Sequence, residues 1–194
     1  MKASKQNQSI ALGASLLALG LIVGLIEPAP AAPERTVMVG GAAMYPSRNI
    51  VQNALNSRDH TTLVAAVKAA GLVETLSGPG PFTVFAPTNA AFAKLPAGTV
   101  DALLQPENKG KLTSLLTYHV VPKKALRNAI ASMIETDGGK HEITTVGGGK
   151  LWAYLQDGNL LLRDAKGRSA RVTIANVMQS NGVIHVIDSV LLPN

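Results

Sequence analysis

The segment PFTVFAPTNAAF, Pro81 to Phe92, combines a strand, a break and a helix start. Phe82, Val84 and Phe85 place apolar side chains on both faces of a strand, in which side chains alternate between faces. Thr83 is the one polar residue in that run. Because a strand that is apolar on both faces has to be covered on both sides, the segment predicts an interior strand.

Pro87 marks the end of this strand. Proline lacks an N–H and restricts the preceding residue to extended geometry, so the ladder stops there. Thr88 or Asn89 can then accept a hydrogen bond from an N–H in the first turn of a helix that carries Phe92. None of these side chains is a general acid, a general base or a metal ligand. The segment therefore predicts a structural element.

The first 31 residues have the composition of a secretory signal peptide. Lys2 and Lys5 precede an uncharged apolar run, Ile10 to Ile26, and Ala29 and Ala31 are the small residues that a signal peptidase reads. We expect cleavage after Ala31, a secreted, periplasmic or cell-surface location, and no stable membrane insertion afterwards. The apolar run approaches the length that spans a bilayer, so an uncleaved anchor is the alternative.

The composition fits one exported domain that is stabilised by its core. The 194-residue chain contains no cysteine, which excludes disulfides, thiolate chemistry and lipid attachment through a thiol. Its formal net charge of +6 is spread over isolated residues, and the adjacent basic pair Lys123-Lys124 has no interleaved aromatic residues. This pattern argues against nucleic-acid binding. Salt-sensitive adsorption to anionic polysaccharide or lipid headgroups is compatible with it.

Hydrophobic periodicity predicts a helical first half and a mostly antiparallel sheet in the second half. Residues 32–45 are small and Gly-containing without a clear period, so we expect a flexible leader before a domain over residues 46–194. Ser47 is the expected N-cap of the first helix, and Gly71 is the expected left-handed residue after the second. The predicted strands are Ile143–Val146, Leu151–Leu155, Leu160–Arg163, Arg171–Ala175 and Val183–Ile187, with hairpin turns at 156–159 and 165–168.

Three segments resemble the signatures of the fasciclin domain family. They are FTVFAPTNAAF (Phe82 to Phe92), LLTYHVVP (Leu115 to Pro122) and SNGVIHVIDSVLLP (Ser180 to Pro193), and their order and spacing also fit. The resemblance covers about Tyr45 to the C-terminus. It implies an α+β fold, a wedge-shaped β-sandwich with short helices packed along one edge. It also implies an exported or surface protein that serves as a non-enzymatic adhesion module.

The last signature also suits a structural role when its residues are considered one by one. Val183 to Ile187 is apolar except for His185, which we expect to be a neutral core histidine with a hydrogen-bond partner. Asn181-Gly182 is typical of a tight turn. Asp188 is expected to accept hydrogen bonds from backbone N–H groups at the end of the strand.

No catalytic motif accompanies these segments. The four histidines form no HExxH pattern, and Tyr118 and His119 are neighbours at a predicted helix end, so they point in different directions. Gly147-Gly148-Gly149-Lys150 lacks the leading glycine, the Ser/Thr and the following helix of a phosphate loop, and it is predicted to be a hairpin turn. We therefore expect no cofactor, no metal ion and no enzymatic activity. A hydrolase whose two carboxylates meet only in space is the alternative that the sequence leaves open.

Fasciclin domains of animals suggest where a partner would bind. There, an Asp-Ile pair upstream of the second signature and the Tyr-His region are implicated in integrin contact, and the positions matching the pair here are Asn176 and Val177. Because an amide oxygen is a poorer ligand than a carboxylate for a hard cation, we expect no metal-dependent integrin contact. The hypothesis is that Tyr118, Asn176 and Val177 form a surface for a cell-surface glycan or a protein. The alternative is that Asn176 only shapes the turn before Asn181-Gly182.

Two classes of function remain open from the sequence. The first is an exported adhesion module that binds a surface glycan, a matrix component, another protein or a second copy of itself. The second is a periplasmic binder of a small apolar ligand, or a purely structural envelope protein. An exposed apolar patch would favour the first class, and an enclosed apolar pocket would favour the second.

Overall fold

A computed structural model describes residues 34–193; the predicted signal peptide, residues 1–31, lies outside them. The strands are β1 (Val37–Val39), β2 (Ala42–Met44), β3 (Phe82–Pro87), β4 (Val120–Val121), β5 (Lys140–Thr144), β6 (Lys150–Gln156), β7 (Asn159–Arg163), β8 (Ser169–Gln179) and β9 (Gly182–Ile187). The α-helices are α1 (Ile50–Ala54), α2 (Thr61–Ala70), α3 (Val73–Ser77), α4 (Asn89–Ala93), α5 (Thr99–Leu104), α6 (Lys109–Tyr118) and α7 (Arg127–Thr136). Within this part of the chain, no helix has the length and apolar composition needed to cross a membrane.

β3 lies inside a seven-stranded sheet, as the sequence predicts. The strand order is β4-β3-β9-β8-β7-β6-β5. β3 pairs with β4 antiparallel and with β9 parallel, and the remaining neighbours are antiparallel. Every residue of β3 after Phe82 is buried, so both faces of the strand are covered. Pro87 is the last residue of the ladder, opposite Ile187.

β8 carries the chain from one half of the sheet to the other. Residues 169–171 pair with β7, and the rest of the strand pairs with β9. Register shifts within residues 172–177 bend the strand between the two pairings. The sheet coils until its edges meet, where the Val146 N–H just after β5 donates to the Val120 carbonyl of β4 at 2.7 Å. The α+β class is confirmed, and the two layers of the predicted sandwich are halves of one sheet that is nearly closed into a barrel.

Apolar side chains form two cores, one on each face of the sheet, because successive residues of β3 and β9 point to opposite faces. The helical core lies between the sheet and helices α1, α2, α4 and α6; its buried members include Ile50, Leu63, Val67, Val84, Phe92, Leu112, Leu116, Val177, Ile184 and Val186. The inner core lies inside the coiled sheet against α7; it contains Phe85, Tyr118, Val121, Ile130, Ile134, Ile143, Leu151, Ala153, Leu160, Leu162, Ala170, Ile187 and Leu191.

Residues 37–44 form a hairpin, so the prediction of a flexible leader over residues 32–45 is wrong for this stretch. The hairpin turns through Gly40-Gly41, whose φ angles of 57° and 76° are left-handed conformations that glycine adopts without strain. Val39 and Met44 are buried in the helical core. The hairpin is therefore packed onto the fold through its own apolar side chains.

Two predicted helix ends have different outcomes. The N-cap of α1 is Asn49 and not Ser47, because the Asn49 side chain accepts the Gln52 N–H while the Gln52 side chain accepts the Asn49 N–H, a reciprocal capping box. Ser47 donates instead to the Glu34 carboxylate at 2.9 Å. Gly71 follows α2 with φ 74°, which confirms the predicted left-handed C-terminal residue.

Candidate interaction surface

His185 is a buried histidine with both ring nitrogens hydrogen-bonded. It lies opposite Phe85 in the parallel β3–β9 pair, and the two rings stack with centroids 5.7 Å apart. Nε2–H donates to the Ala125 carbonyl at 2.9 Å, and Nδ1 accepts the Asn176 N–H at 3.4 Å. Burial lowers the pKa of His185, against a smaller opposing effect of the Ala125 hydrogen bond, so the ring is neutral at pH 7. This geometry is that of a core histidine.

His119 joins the end of α6 to the C-terminal segment. Its Nδ1–H donates to the Leu115 carbonyl at 2.8 Å, and its Nε2 accepts the Leu191 N–H at 3.1 Å. Its backbone carbonyl accepts the Phe85 N–H at 2.9 Å. Burial lowers the pKa of His119 to about 4, despite the opposing effects of the Leu115 hydrogen bond and the Asp164 carboxylate. His119 is therefore a neutral imidazole with a fixed tautomer, committed to internal contacts.

Tyr118 is buried beneath the turn between β5 and β6. Its hydroxyl donates to the Lys150 carbonyl at 2.6 Å and accepts the Ala165 N–H at 3.2 Å. A Cβ at Gly149 would lie 2.5 Å from the Tyr118 ring, which explains a glycine at that point of the predicted turn. Because only 2% of Tyr118 is exposed, the structure contradicts its predicted place on a partner-binding surface.

Val177 is buried, and the neighbouring Asn176 of β8 is partly buried with its side chain bound to another element of the domain. Val177 is 1% exposed in the helical core, so it too is wrong as a predicted contact residue. Asn176 has φ 59°, a left-handed conformation that asparagine tolerates better than most residues. Its Oδ1 accepts the N–H of Arg127, the first residue of α7, at 2.8 Å. Asn176 therefore shapes a bulge in β8 and caps α7, and the turn before Asn181 lies further along the chain.

The sequence predicts that either Thr88 or Asn89 caps the helix after β3. Thr88 caps that helix, and Asn89 caps a different one. Thr88 is the N-cap of α4, and its Oγ1 accepts the Ala91 N–H at 3.2 Å. Asn89 reaches across to α2, where its Oδ1 accepts the Thr62 N–H at 3.0 Å. Its Nδ2 donates to the Arg58 carbonyl at 2.9 Å. Since α2 has no N-cap side chain of its own, Asn89 supplies the missing acceptor.

Asn181 fastens the β8–β9 turn to two helices. Its Oδ1 accepts the N–H of Ile50, the first residue of α1, at 3.0 Å. Its Nδ2 donates to the Leu76 and Gly78 carbonyls at the end of α3, at 2.8 and 2.9 Å. At Gly182 a Cβ would lie 2.1 Å from the Phe82 carbonyl oxygen, so only glycine permits this approach of β9 to β3.

Asp188 ends β9 with the hydrogen bonds that the sequence predicts. Its Oδ1 accepts the Arg171 N–H at 2.9 Å and the Ser189 hydroxyl at 3.1 Å. Lys94 and Arg171 lie 3.9 and 4.0 Å from its other oxygen. The carboxylate is therefore neutralised by neighbours on two elements.

Three of the large exposed apolar side chains lie close together in the sequence, in and just after the β1–β2 hairpin. Met38 is 59%, Leu55 51% and Tyr45 38% exposed, and all three lie within residues 38–55. Val146, at 43%, lies on the separate β5–β6 turn. The Arg48 guanidinium lies 4.8 Å from the centre of the Tyr45 ring, a cation–π distance. We call Met38, Tyr45, Arg48 and Leu55 the hairpin surface.

A buried polar network holds the hairpin surface in place. The Asn53 side chain accepts the Tyr45 N–H at 3.0 Å and donates to the Tyr45 carbonyl at 2.8 Å. It also donates to the buried Gln179 side chain of β8. The Arg48 carbonyl accepts the Ser180 N–H at 2.9 Å. A flexible leader over residues 32–45 does not predict this surface, although Gly-Gly between two short apolar stretches is a hairpin signal.

Neither a metal centre nor a large pocket lies at the hairpin surface. In residues 34–193, no three His, Asp or Glu side chains are close enough to hold a metal ion. An apolar cavity of about 80 Å³, which Leu55 also borders, lies among α1, α2, α3, β3 and α6. An engineered cavity that binds benzene measures about 150 Å³, so the size of this cavity favours a packing void over a ligand site.

Comparison with known proteins gives a consistent result. The family model described as Fasciclin domain matches residues 58–193. Protein sll1483 of Synechocystis is 49% identical over 160 residues, which is 82% of this chain and 82% of that protein. The cell surface glycolipoprotein MPB83 of Mycobacterium bovis is 34% identical over 160 residues, which is 80% of this chain and 64% of that protein.

A solved structure has the same fold. It is a FAS1 domain pair from the insect cell adhesion molecule Fasciclin I, with a TM-score of 0.67 and 16% sequence identity over 82% of this chain. The present chain spans 58% of the length of that domain pair.

Proposed function

Because the chain belongs to the fasciclin domain family, we propose that it is an exported, non-enzymatic interaction module that binds a protein or a glycan at a cell surface or in a matrix. The cell-surface relative MPB83 supports this location. The signal-like composition of residues 1–31 supports export. Mass spectrometry of envelope and medium fractions tests it, with an N-terminus at Ala32 expected and a full-length membrane-bound product contradicting cleavage.

The observation that carries the proposal is the hairpin surface. Met38 and Leu55 are more than half exposed, and Tyr45 and Arg48 are of residue types that are enriched at interaction hot spots. The Asn53 network fixes the backbone at Tyr45 before any partner arrives, so little conformational entropy is lost on binding. The family signature residues, in contrast, are occupied with contacts inside the domain.

The test is binding of fluorescently labelled protein to intact cells of the source. The double variant Met38→Ser/Leu55→Ser removes the two most exposed apolar side chains and leaves the buried side chains of the hairpin in place. We expect it to lose at least about tenfold in apparent affinity, because covering the exposed parts of two apolar side chains contributes about 1.5 to 3 kcal/mol in total. Val146→Ser is the matched control, since it removes an apolar side chain of similar exposure elsewhere. Equal loss in both variants would contradict the assignment of the surface.

Self-association through the same surface is a second outcome of this experiment. Sedimentation of the purified protein measures it over a range of concentrations. A dimer that Met38→Ser/Leu55→Ser dissolves would identify a second copy of the chain as a partner. A monomer that binds cells leaves a glycan or another protein as the partner, and glycosidase treatment of the cells separates those two.

A further inference from the structure

The sheet is open along one seam, between β4 and β5. The two edges are joined by the bond from Val146 to Val120, and no ladder is formed between them beyond it. Pro122, the residue after β4, has no N–H to donate, so the backbone ladder cannot continue across the seam at that residue. The chain on the β4 side then turns away through Lys123 to Ala125.

A cavity of about 300 Å³ fills this seam. Its apolar lining comes mainly from β3, β4, β5 and α7, and includes Phe85, Val121, Ile130, Met133 and Ile143. Its polar lining includes Thr83, Lys123, His141, Glu142 and Thr144. A cavity of this size, mainly apolar with a few polar groups, matches the ordinary small-molecule site of a protein.

The wall on the β4 side is fixed by a buried hydroxyl. Thr83 Oγ1 donates to the Lys123 carbonyl at 2.5 Å and accepts the Ala125 N–H at 2.8 Å. Thr83 is fully buried, so these bonds hold the 123–125 loop against β3. The cavity is therefore preformed on this side.

The charged and titratable side chains around the cavity differ in whether they already have a partner. Glu142 is paired with Lys150 at 2.9 Å, and His141 is hydrogen-bonded to Asp137 at 2.6 Å. Lys123 forms no ion pair with any carboxylate of residues 34–193. The cation of Lys123 is thus left without an ion pair in this part of the chain, whereas Glu142, the carboxylate that lines the cavity, is already paired.

We propose that the seam cavity binds a small amphipathic anion, an aromatic or branched hydrocarbon body that carries one carboxylate. The body lies against Val121, Met133 and Ile143, which line the cavity and keep some exposed surface, and the carboxylate pairs with Lys123 at the mouth. An engineered cavity of about 150 Å³ accepts benzene, so this cavity has room for a body of about two rings. The site is separate from the hairpin surface, so it adds a ligand to the proposed interaction module.

The experiment titrates the mature, ¹⁵N-labelled protein with 2-naphthoate and follows backbone amides by NMR. We expect saturable shifts centred on Val121, Met133 and Thr144, with a Kd of about 1 mM or tighter for a ligand of this size. Thr144→Trp places an indole at the exposed rim of the cavity and is expected to abolish binding with the spectrum otherwise unchanged. Shifts centred on α1 and α2 would overturn the proposal. So would a lack of saturation up to about 10 mM, which is about ten times the expected Kd.

The role of Lys123 is tested by a matched pair of lysine variants. Lys123→Met is expected to weaken 2-naphthoate binding about two- to fivefold, as for the loss of an exposed ion pair. It is expected to leave binding of the uncharged 2-naphthamide unchanged. Lys124→Met is the control, because it removes the same charge from the neighbouring residue that does not line the cavity. Equal weakening by both lysine variants would contradict a specific contact and indicate general attraction to a basic protein.

Discussion

Backbone polar groups are satisfied on the helix-covered face of the sheet, whereas strand pairing is interrupted at the seam between β4 and β5. On the helical face, Asn89 and Asn181 reach across the fold and satisfy the free ends of α1, α2 and α3. At the seam, Pro122 ends the ladder and a cavity of about 300 Å³ takes the place of strand pairing. A helix end satisfied by a fixed side chain is rigid, whereas an unpaired strand edge is open to another molecule. The signature asparagines Asn89 and Asn181 therefore hold the scaffold together, and the proposed ligand site lies at the unpaired edge of the sheet.

Phe85 borders both regions, so its truncation is expected to lower the stability of the domain more than the other substitutions. The side chain is fully buried, and Phe85 borders both the seam cavity and the smaller cavity under the helices. Phe85→Ala is expected to lower the free energy of unfolding by roughly 3 to 5 kcal/mol, the cost of a large cavity in a core. Urea denaturation measures this. Phe82→Ala, at a partly exposed position of the same strand, is the control with the smaller expected loss. Equal losses would show that Phe85 is not a shared wall.

Acid should weaken the protein through buried histidines. The pKa of His119 is lowered from 6.5 to about 4 by burial, so between these values the unfolded chain binds a proton that the folded chain does not. Stability is therefore full above about pH 6.5 and falls as the pH drops toward 4, by roughly 3 kcal/mol for this residue. Burial lowers the pKa of His60 and His185 as well, which adds in the same direction.

Urea denaturation of the wild type and of His119→Asn over about pH 4.5 to 7.5 tests this expectation. In this range a histidine pKa that lies below its reference of about 6.5 changes stability. Asparagine keeps a donor for Leu115 and removes the titrating ring. The variant is expected to be less stable at pH 7 and to lose less stability on acidification. Parallel pH profiles for the two proteins would show that His119 does not carry the acid sensitivity.

Asn176 lies at a bulge in β8 and caps α7, which is distant in the sequence. Asn176→Ala removes the acceptor for the Arg127 N–H and places alanine at φ 59°, so we expect a loss of about 1 to 2 kcal/mol. Asn176→Asp keeps an acceptor at the N-terminus of α7, where a negative charge is favourable, and is expected to lose less. Thermal unfolding ranks the two variants. An aspartate variant as unstable as the alanine variant would contradict the capping role.

Much of the scaffold follows from local sequence pattern. Alternation predicts the strands from β5 to β9 to within a few residues, and Pro87 and Gly71 end their elements as expected. The contacts of the asparagine side chains do not follow, because Asn181 binds Ile50 across 131 residues and Asn176 binds Arg127 across 49. Such pairings are set by the packing of whole elements. The resemblance to animal fasciclin domains placed Tyr118 and Val177 on a surface, whereas the packing of their elements buries them in the two cores.

The most direct test of the division between scaffold and binding surface measures cell binding and folded fraction together for two variants. The first is Met38→Ser/Leu55→Ser, and the second is Asn176→Ala. We predict that the hairpin-surface variant keeps its unfolding free energy within about 0.5 kcal/mol of the wild type and loses most of its binding. We predict that Asn176→Ala loses stability and binds like the wild type per folded molecule. Full binding by the first variant, together with lost binding by folded Asn176→Ala, would show that Asn176 and not the hairpin surface contacts the partner.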